Sequence, residues 1–136
     1  MSRCPNEAID LPAPGELLFV YGTLKRGGQY HHLLKDNGTV FKGSAQLVTP
    51  YPLILAEYPC LLDQPGNGYR VRGELFSIGS METWIAVDRL EDHPREYLRR
   101  LERVETDTGQ HLAWTYFYRK PQLLDATLQP VETFPV

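Results

Sequence analysis

Several things that would settle this chain's chemistry at a glance are scarce or missing. It has only two cysteines, Cys4 and Cys60. That is too few for a disulfide framework, and their spacing is not that of a zinc site. Cys60 follows a proline in apolar surroundings and reads as packed rather than nucleophilic. Long apolar runs are absent, and no window approaches the roughly 20 residues that a membrane-spanning helix needs. The first residues, "MSRCPNEAIDLPAPGE", hold no apolar stretch of the kind a secretory signal carries. Positive charge is not in excess, with 14 Lys and Arg against 17 Asp and Glu for a net charge of -3. The chain therefore has no global field to attract nucleic acid or an anionic membrane. Its most basic stretch, "REYLRRLER" (95–103), is interrupted by Glu96 and Glu102 and reads as a solvated face.

The motif inventory is equally thin. His31 and His32 are adjacent, which turns their side chains apart, and His93 and His111 show no ligand spacing. Neither phosphate-binding glycine pattern occurs, and no Gly-x-Ser-x-Gly elbow is present. The expectation is a cytoplasmic protein with no metal, no cofactor, no nucleic acid and no membrane among its partners. Nothing in the sequence addresses its oligomeric state.

What is present is an ordinary globular composition, 42% hydrophobic and 23% charged over 136 residues, the size of one domain. Pro5, Pro12, Pro14 and Gly15 lie among polar residues, so 1–16 reads as a flexible N-terminal arm and 17–136 as a single domain. "LLFVY" (17–21) has the length of a strand buried on both faces. "QYHHLLKD" (29–36) suggests a short helix stopped by Asn37-Gly38. Strands are expected between Thr39 and Glu57, bent or placed at an edge by Pro50 and Pro52. "DQPGNG" (63–68) reads as a turn. "YRVRGELFSI" (69–78) reads as a strand with a bulge or close approach at Gly73. "EYLRRLERVE" (96–105) fits helix or strand. "DTGQ" (107–110) marks a hairpin turn before "HLAWTYFYRK", whose Leu112, Trp114, Tyr116 and Tyr118 share a face. Many strands and two or three helices in one short chain predict an α+β fold on a small curled mixed sheet or β-barrel-like core, with short flanking helices.

Two stretches carry possible chemistry. In "FVYGTLKRGG" (19–28) an apolar run stops at Tyr21 and gives way to Gly22-Thr23-Leu24 and a Lys-Arg pair. The turn could be merely tight and its cations merely solvated. Alternatively, successive amides at a glycine form an anion-binding concavity, with the Thr23 hydroxyl as a further donor. The second stretch follows Ser80, a candidate N-cap. Wound as a helix, it sets Met81, Trp84 and Val87 on one arc with Ile85 at its edge. Asp88 and Glu91 fall on that same arc, four and seven residues after Trp84. Carboxylates on a core-facing stripe are costly unless paired or functional. Either arginines of "YLRR" satisfy both, or the helix frays before Glu91, or one acid sits in an apolar cavity with a raised pKa as a general base.

Together "FVYGTLKRG", "TPYPLILAE" (49–57), "LLDQPGNG" (61–68), "VRGELF" (71–76), "VDRLEDHPREYLRR" (87–100) and "TYFYR" (115–119) resemble the γ-glutamylcyclotransferase-like superfamily, especially its γ-glutamylamine cyclotransferase (AIG2-like) branch. The resemblance implies a barrel-like core, a strand at 96–105, and cofactor-free release of 5-oxoproline from a small γ-glutamyl compound. It implies Glu91 as the catalytic residue, a ligand-binding loop of Tyr21, Gly22, Thr23 and Leu24, and substrate contacts from Tyr97 and Tyr118. Asp92-His93 add charge beside the candidate base. The alternative is a non-catalytic small-ligand-binding protein of the same fold, or an interaction protein docking through residues 1–16.

Overall fold

The structure is a computed structural model that describes residues 11–35 and 38–136. Its strands are β1 (Leu17–Val20), β2 (Val40–Leu47), β3 (Leu53–Leu55), β4 (Pro59–Leu61), β5 (Arg72–Ser77), β6 (Tyr97–Thr106) and β7 (Gly109–Tyr118), and its α-helix is α1 (Met81–Glu91). Five of the strands close a barrel in the order β1-β5-β2-β6-β7, while β3 and β4 form a separate two-stranded sheet. Every pairing in the barrel is antiparallel except the closing one, where β1 runs parallel to β7 with Leu18 opposite Trp114.

The uninterrupted apolar run of β1 follows from this closure. Phe19 and Tyr21 belong to the barrel interior, packed with Leu47, Val71, Leu75, Val104 and Phe117. Leu18 and Val20 join a second apolar layer with Phe76, Ile78, Tyr97 and Tyr116, which α1 covers through Trp84 and Val87. A strand sandwiched this way has no solvent face on which to alternate. The ambiguous segment 96–105 lies almost wholly in β6, paired with β7 from Tyr97↔Tyr118 to Thr106↔Gly109. Gly109 supplies the positive φ, 128°, that the connecting turn requires.

Several local expectations need correcting. The helix expected over 29–36 is only a 3-10 turn, His31–Leu34, with Leu34 its single buried residue. Its stop signal at Asn37 lies outside the described residues. Gly73 marks a close approach and not a bulge: a Cβ there would collide with the Val20 carbonyl and the Phe19 ring. The irregularity lies on the neighbouring strand, where the register skips Lys42 between Phe41↔Phe76 and Gly43↔Leu75. Helix α1 begins at Ser80, whose side chain accepts from the Thr83 amide as an N-cap should. Its buried face, however, is Thr83, Trp84, Val87 and Asp88, while Met81 and Ile85 are 36% and 37% exposed. The barrel meets the helix on the Thr83 side of the Trp84 stripe, which leaves Met81 and Ile85 at its outer margin. Leu112 is likewise 53% exposed, although it shares a face with the buried Tyr116. Of the expected arm, 1–10 lie outside the described residues. Residues 11–16 are tied to the barrel by Gly15 N–H to Ile78 O (2.7 Å) and by Trp114 Nε1–H to Glu16 Oε1 (2.8 Å).

Candidate active site

A cavity of about 380 Å³ opens between the end of β1, the end of α1 and the start of β6. That is within the usual range for a small-molecule site. Tyr21, Gly22, Thr23 and Leu24 line one side, and Leu90, Glu91 and Asp92 line another. Tyr97 and Tyr116 contribute rings, Tyr30, Tyr58, Pro59 and Glu96 add to the wall, and Phe19 and Val20 of β1 border it too. Segments that the sequence holds about seventy residues apart thus share one space because β1 closes the barrel next to β7, directly beneath α1.

The two acids of the α1 stripe have opposite fates. Asp88 is matched by Arg99 of β6, whose Nε and Nη2 donate to Oδ1 and Oδ2 at 3.0 and 3.1 Å. The Tyr116 hydroxyl donates to Asp88 Oδ1 at 2.5 Å. Both charged side chains are buried, at 3% exposure for Arg99 and 10% for Asp88. This is a closed, charge-assisted network that locks α1 onto the hairpin of β6 and β7. Asp88 is therefore structural. Glu91, one turn further on, has no hydrogen bond or ion pair to any described residue, and its side chain borders the cavity. Glu91 is half-buried at the cavity wall, and desolvation there, reinforced by the negative charge of Asp88, raises its pKa from 4.5 to about 8. It is also the last residue of α1, where the helix carbonyls gather partial negative charge. Asp92 ends the helix in the left-handed region (φ 51°) and turns the chain away through Arg95 and Glu96, whose amides both donate to the Asp92 carbonyl. Aspartate tolerates that conformation better than most residues.

On the facing side, the turn after Tyr21 has its carbonyls occupied. Gly22 O accepts from Lys25 N (3.1 Å) and Thr23 O from Tyr30 N (2.9 Å). Leu24 O lies 2.9 Å from His31 Nδ1. No described residue accepts from the amides of Gly22, Thr23 or Leu24. A turn whose acceptors are satisfied and whose donors are not is built for an anion or a developing oxyanion. Gly22 does not have a positive φ. Its lack of a side chain instead admits Pro59, whose Cγ would sit 2.5 Å from a Cβ. The Tyr21 hydroxyl donates to Tyr116 O (2.7 Å) and the Tyr97 hydroxyl to Pro59 O (2.8 Å). Both phenols are pushed well above tyrosine's ordinary pKa by burial, so they remain neutral donors.

The family model described as "Gamma-glutamyl cyclotransferase, AIG2-like" matches residues 18–134. The chain belongs to this AIG2-like γ-glutamyl cyclotransferase family. The human γ-glutamylaminecyclotransferase is 37% identical over 95 residues, covering 65% of this chain and 61% of that protein. The γ-glutamylaminecyclotransferase B of Danio rerio is 40% identical over 99 residues, covering 68% of this chain and 51% of its own. The crystal structure of an AIG2-like protein from Mus musculus superposes with a TM-score of 0.79 at 29% identity, over 88% of each chain. The chain spans about half to about two thirds of the length of the curated relatives it matches.

Within this AIG2-like fold, the cavity gathers Glu91, Tyr21, Gly22, Thr23, Leu24 and Tyr97, but Tyr118 does not border it. Tyr118 stands behind the wall, edge-on to Tyr97 with ring centroids 5.3 Å apart. Sequence reasoning missed Tyr30, Tyr58, Pro59 and Tyr116. Only Tyr116 carried a signal, its place on the Trp114–Tyr118 face of β7. The other three come from loop and short-sheet segments whose composition is unremarkable until the fold brings them to the cavity.

Proposed function

We propose that this chain is a γ-glutamyl cyclotransferase of the γ-glutamylamine type, acting in the cytoplasm on a small γ-glutamyl amine without a cofactor. The observation that carries the reading is the contrast between paired Asp88 and unpaired Glu91, with the unpaired acid sharing a cavity with a turn of free amides.

In this reading the γ-glutamyl chain bends so that its own α-nitrogen reaches its γ-carbonyl. Ring closure needs no second reactant, and holding the bent conformer removes much of the barrier. Glu91 takes a proton from the α-ammonium, since a protonated nitrogen has no lone pair with which to attack. The carbon–nitrogen bond of the five-membered ring forms, and the carbonyl oxygen becomes an oxyanion within reach of the Gly22–Leu24 amides. The oxyanion collapses, the bond to the departing amine breaks, and Glu91 returns protons to that nitrogen. Two protons leave the attacking nitrogen and two reach the leaving one, so ammonium plus amide becomes lactam plus alkylammonium with no net proton change. With its pKa raised to about 8, Glu91 is a carboxylate in only about a tenth of molecules at pH 7; that fraction is the base that takes the proton, and its high basicity still lets the resulting acid return protons to the leaving nitrogen.

The test is mass spectrometry for 5-oxoproline against γ-glutamyl compounds whose leaving groups are a lysine side chain, a simple diamine and an α-amino acid. The first two are expected to turn over faster. Glu91→Gln should reduce turnover by at least ~10²-fold. Wild-type levels of 5-oxoproline from a folded Gln variant would overturn the reading.

A further inference from the structure

The basic pair that follows the ligand turn does not border the cavity. Arg26 leaves along the barrel wall, where its amide and Nε donate to Glu74 at 2.8 and 3.2 Å and its guanidinium lies 3.7 Å over the Phe41 ring. Lys25 turns the other way and is buried, only 7% exposed. Its ammonium donates to the carbonyl of Phe134 at 2.5 Å and to Thr133 Oγ1 at 3.4 Å. Burial holds it below lysine's ordinary pKa, and the nearby Glu74 opposes that shift. Glu74 is already engaged by Arg26. A buried ammonium whose direct contacts are a backbone carbonyl and a hydroxyl is an expensive arrangement for a solvated-face residue.

The segment that receives Lys25 is itself fastened to the barrel. Val131 N–H donates to Leu53 O (2.9 Å), and Arg72 N–H donates to Glu132 O (2.9 Å). The Arg72 guanidinium also pairs with the Glu132 carboxylate at 3.1 Å. Val136 lies beside Gly27, with methyl Cγ2 3.9 Å from where a Cβ would stand. Residues 131–136 therefore run as a strap from β5 to the outer side of the loop that begins with Gly22.

We propose that Lys25 is a positioning residue, which couples this strap to the ligand turn so that the amides of Gly22, Thr23 and Leu24 stay presented to the cavity. The link is short: the backbone that carries the Lys25 side chain is hydrogen-bonded on both sides, Lys25 N–H closing the turn on Gly22 O and Gly28 N–H closing the next on Lys25 O (2.7 Å). Fixing the lysine fixes the carbonyl bonds on both sides of it. The inference that this presentation serves a γ-glutamyl ligand rests on the function proposed above; the coupling itself does not.

The test uses Lys25→Met, which keeps the aliphatic stem and removes the cation, beside a variant lacking residues 133–136. Amide hydrogen exchange reports the turn directly through Lys25, Gly28 and Tyr30, whose N–H groups make the three bonds that shape it. Losing a charge-assisted hydrogen bond should speed their exchange about tenfold, while amides of Val104 and Ala113 in the barrel stay unchanged. Affinity for 5-oxoproline should fall by about the same factor, Lys25→Arg should recover part of it, and the double variant should be no worse than either single one. Unchanged exchange at the three reporter amides in Lys25→Met overturns the proposal. So does full additivity of the two changes. Should Lys25→Met fail to fold, the four-residue truncation read at the same amides decides the question. Altered exchange in a protein that never binds 5-oxoproline would retain the strap and sink the proposed function instead.

Discussion

Replacing Glu91 by Gln should make the protein more stable, by an amount that grows with pH. The folded state holds the Glu91 proton until about pH 8, whereas the unfolded chain releases it near 4.5. Between those values the native state binds more protons than the unfolded one, so wild-type stability falls as pH rises through the window. Glutamine has the same shape and never ionises. Its advantage is near zero at pH 4.5 and reaches about 3 kcal/mol at pH 7, heading toward about 5 kcal/mol by pH 9. These are ceilings, because water entering the cavity solvates the carboxylate. For a domain of this size 3 kcal/mol is roughly 10 °C in Tm. Paired urea titrations or thermal scans of the two proteins at intervals from pH 4.5 to 9 read this out. A difference that stays flat across the range would refute the claim that Glu91 is strained by burial, whatever the variant does to turnover.

Two other substitutions test the surroundings. Gly22→Ala puts a Cβ against the Pro59 ring, so it should cost about 1–3 kcal/mol and weaken 5-oxoproline binding; calorimetry showing normal affinity and stability would make the close approach irrelevant. Arg99→Met leaves the Asp88 carboxylate buried with Tyr116 as its remaining side-chain partner among the described residues, and unfolding by urea should show a loss of about 3–5 kcal/mol, with less than about 1 kcal/mol counting against the lock between α1 and β6.

Much of this fold can be read from local patterns, and the reasons are physical. The Ser80 cap, the turn at 107–110 and the strand "LLFVY" each depend on a few neighbouring residues whose chemistry admits few alternatives. The stripe holding Trp84, Asp88 and Glu91 was legible because helical periodicity is rigid, yet which acid was paired depended on Arg99, eleven residues after Asp88 and on another element. Met81 and Ile85 misled because an apolar arc wider than its contact leaves a margin in water. The walls of the cavity were the least legible part. Tyr58 precedes and Pro59 opens a three-residue strand, and Tyr30 precedes a single 3-10 turn, all too short to show periodicity. Lys25 looked like half of a solvated pair because its partners lie more than a hundred residues away.

The parallel closure of the barrel bears on how a working site comes into being. Strand β1 is early in the chain, but its neighbours are β5 and, through Leu18 and Trp114, β7. The turn at Gly22 is therefore synthesised before the strands that flank it in the barrel, and gains its last barrel neighbour only when the later hairpin is made. Contacts of such sequence separation are assembled slowly. A nascent or partly unfolded chain can hold all the residues of the site and still have no site, so ligand binding reports on completion of the whole domain.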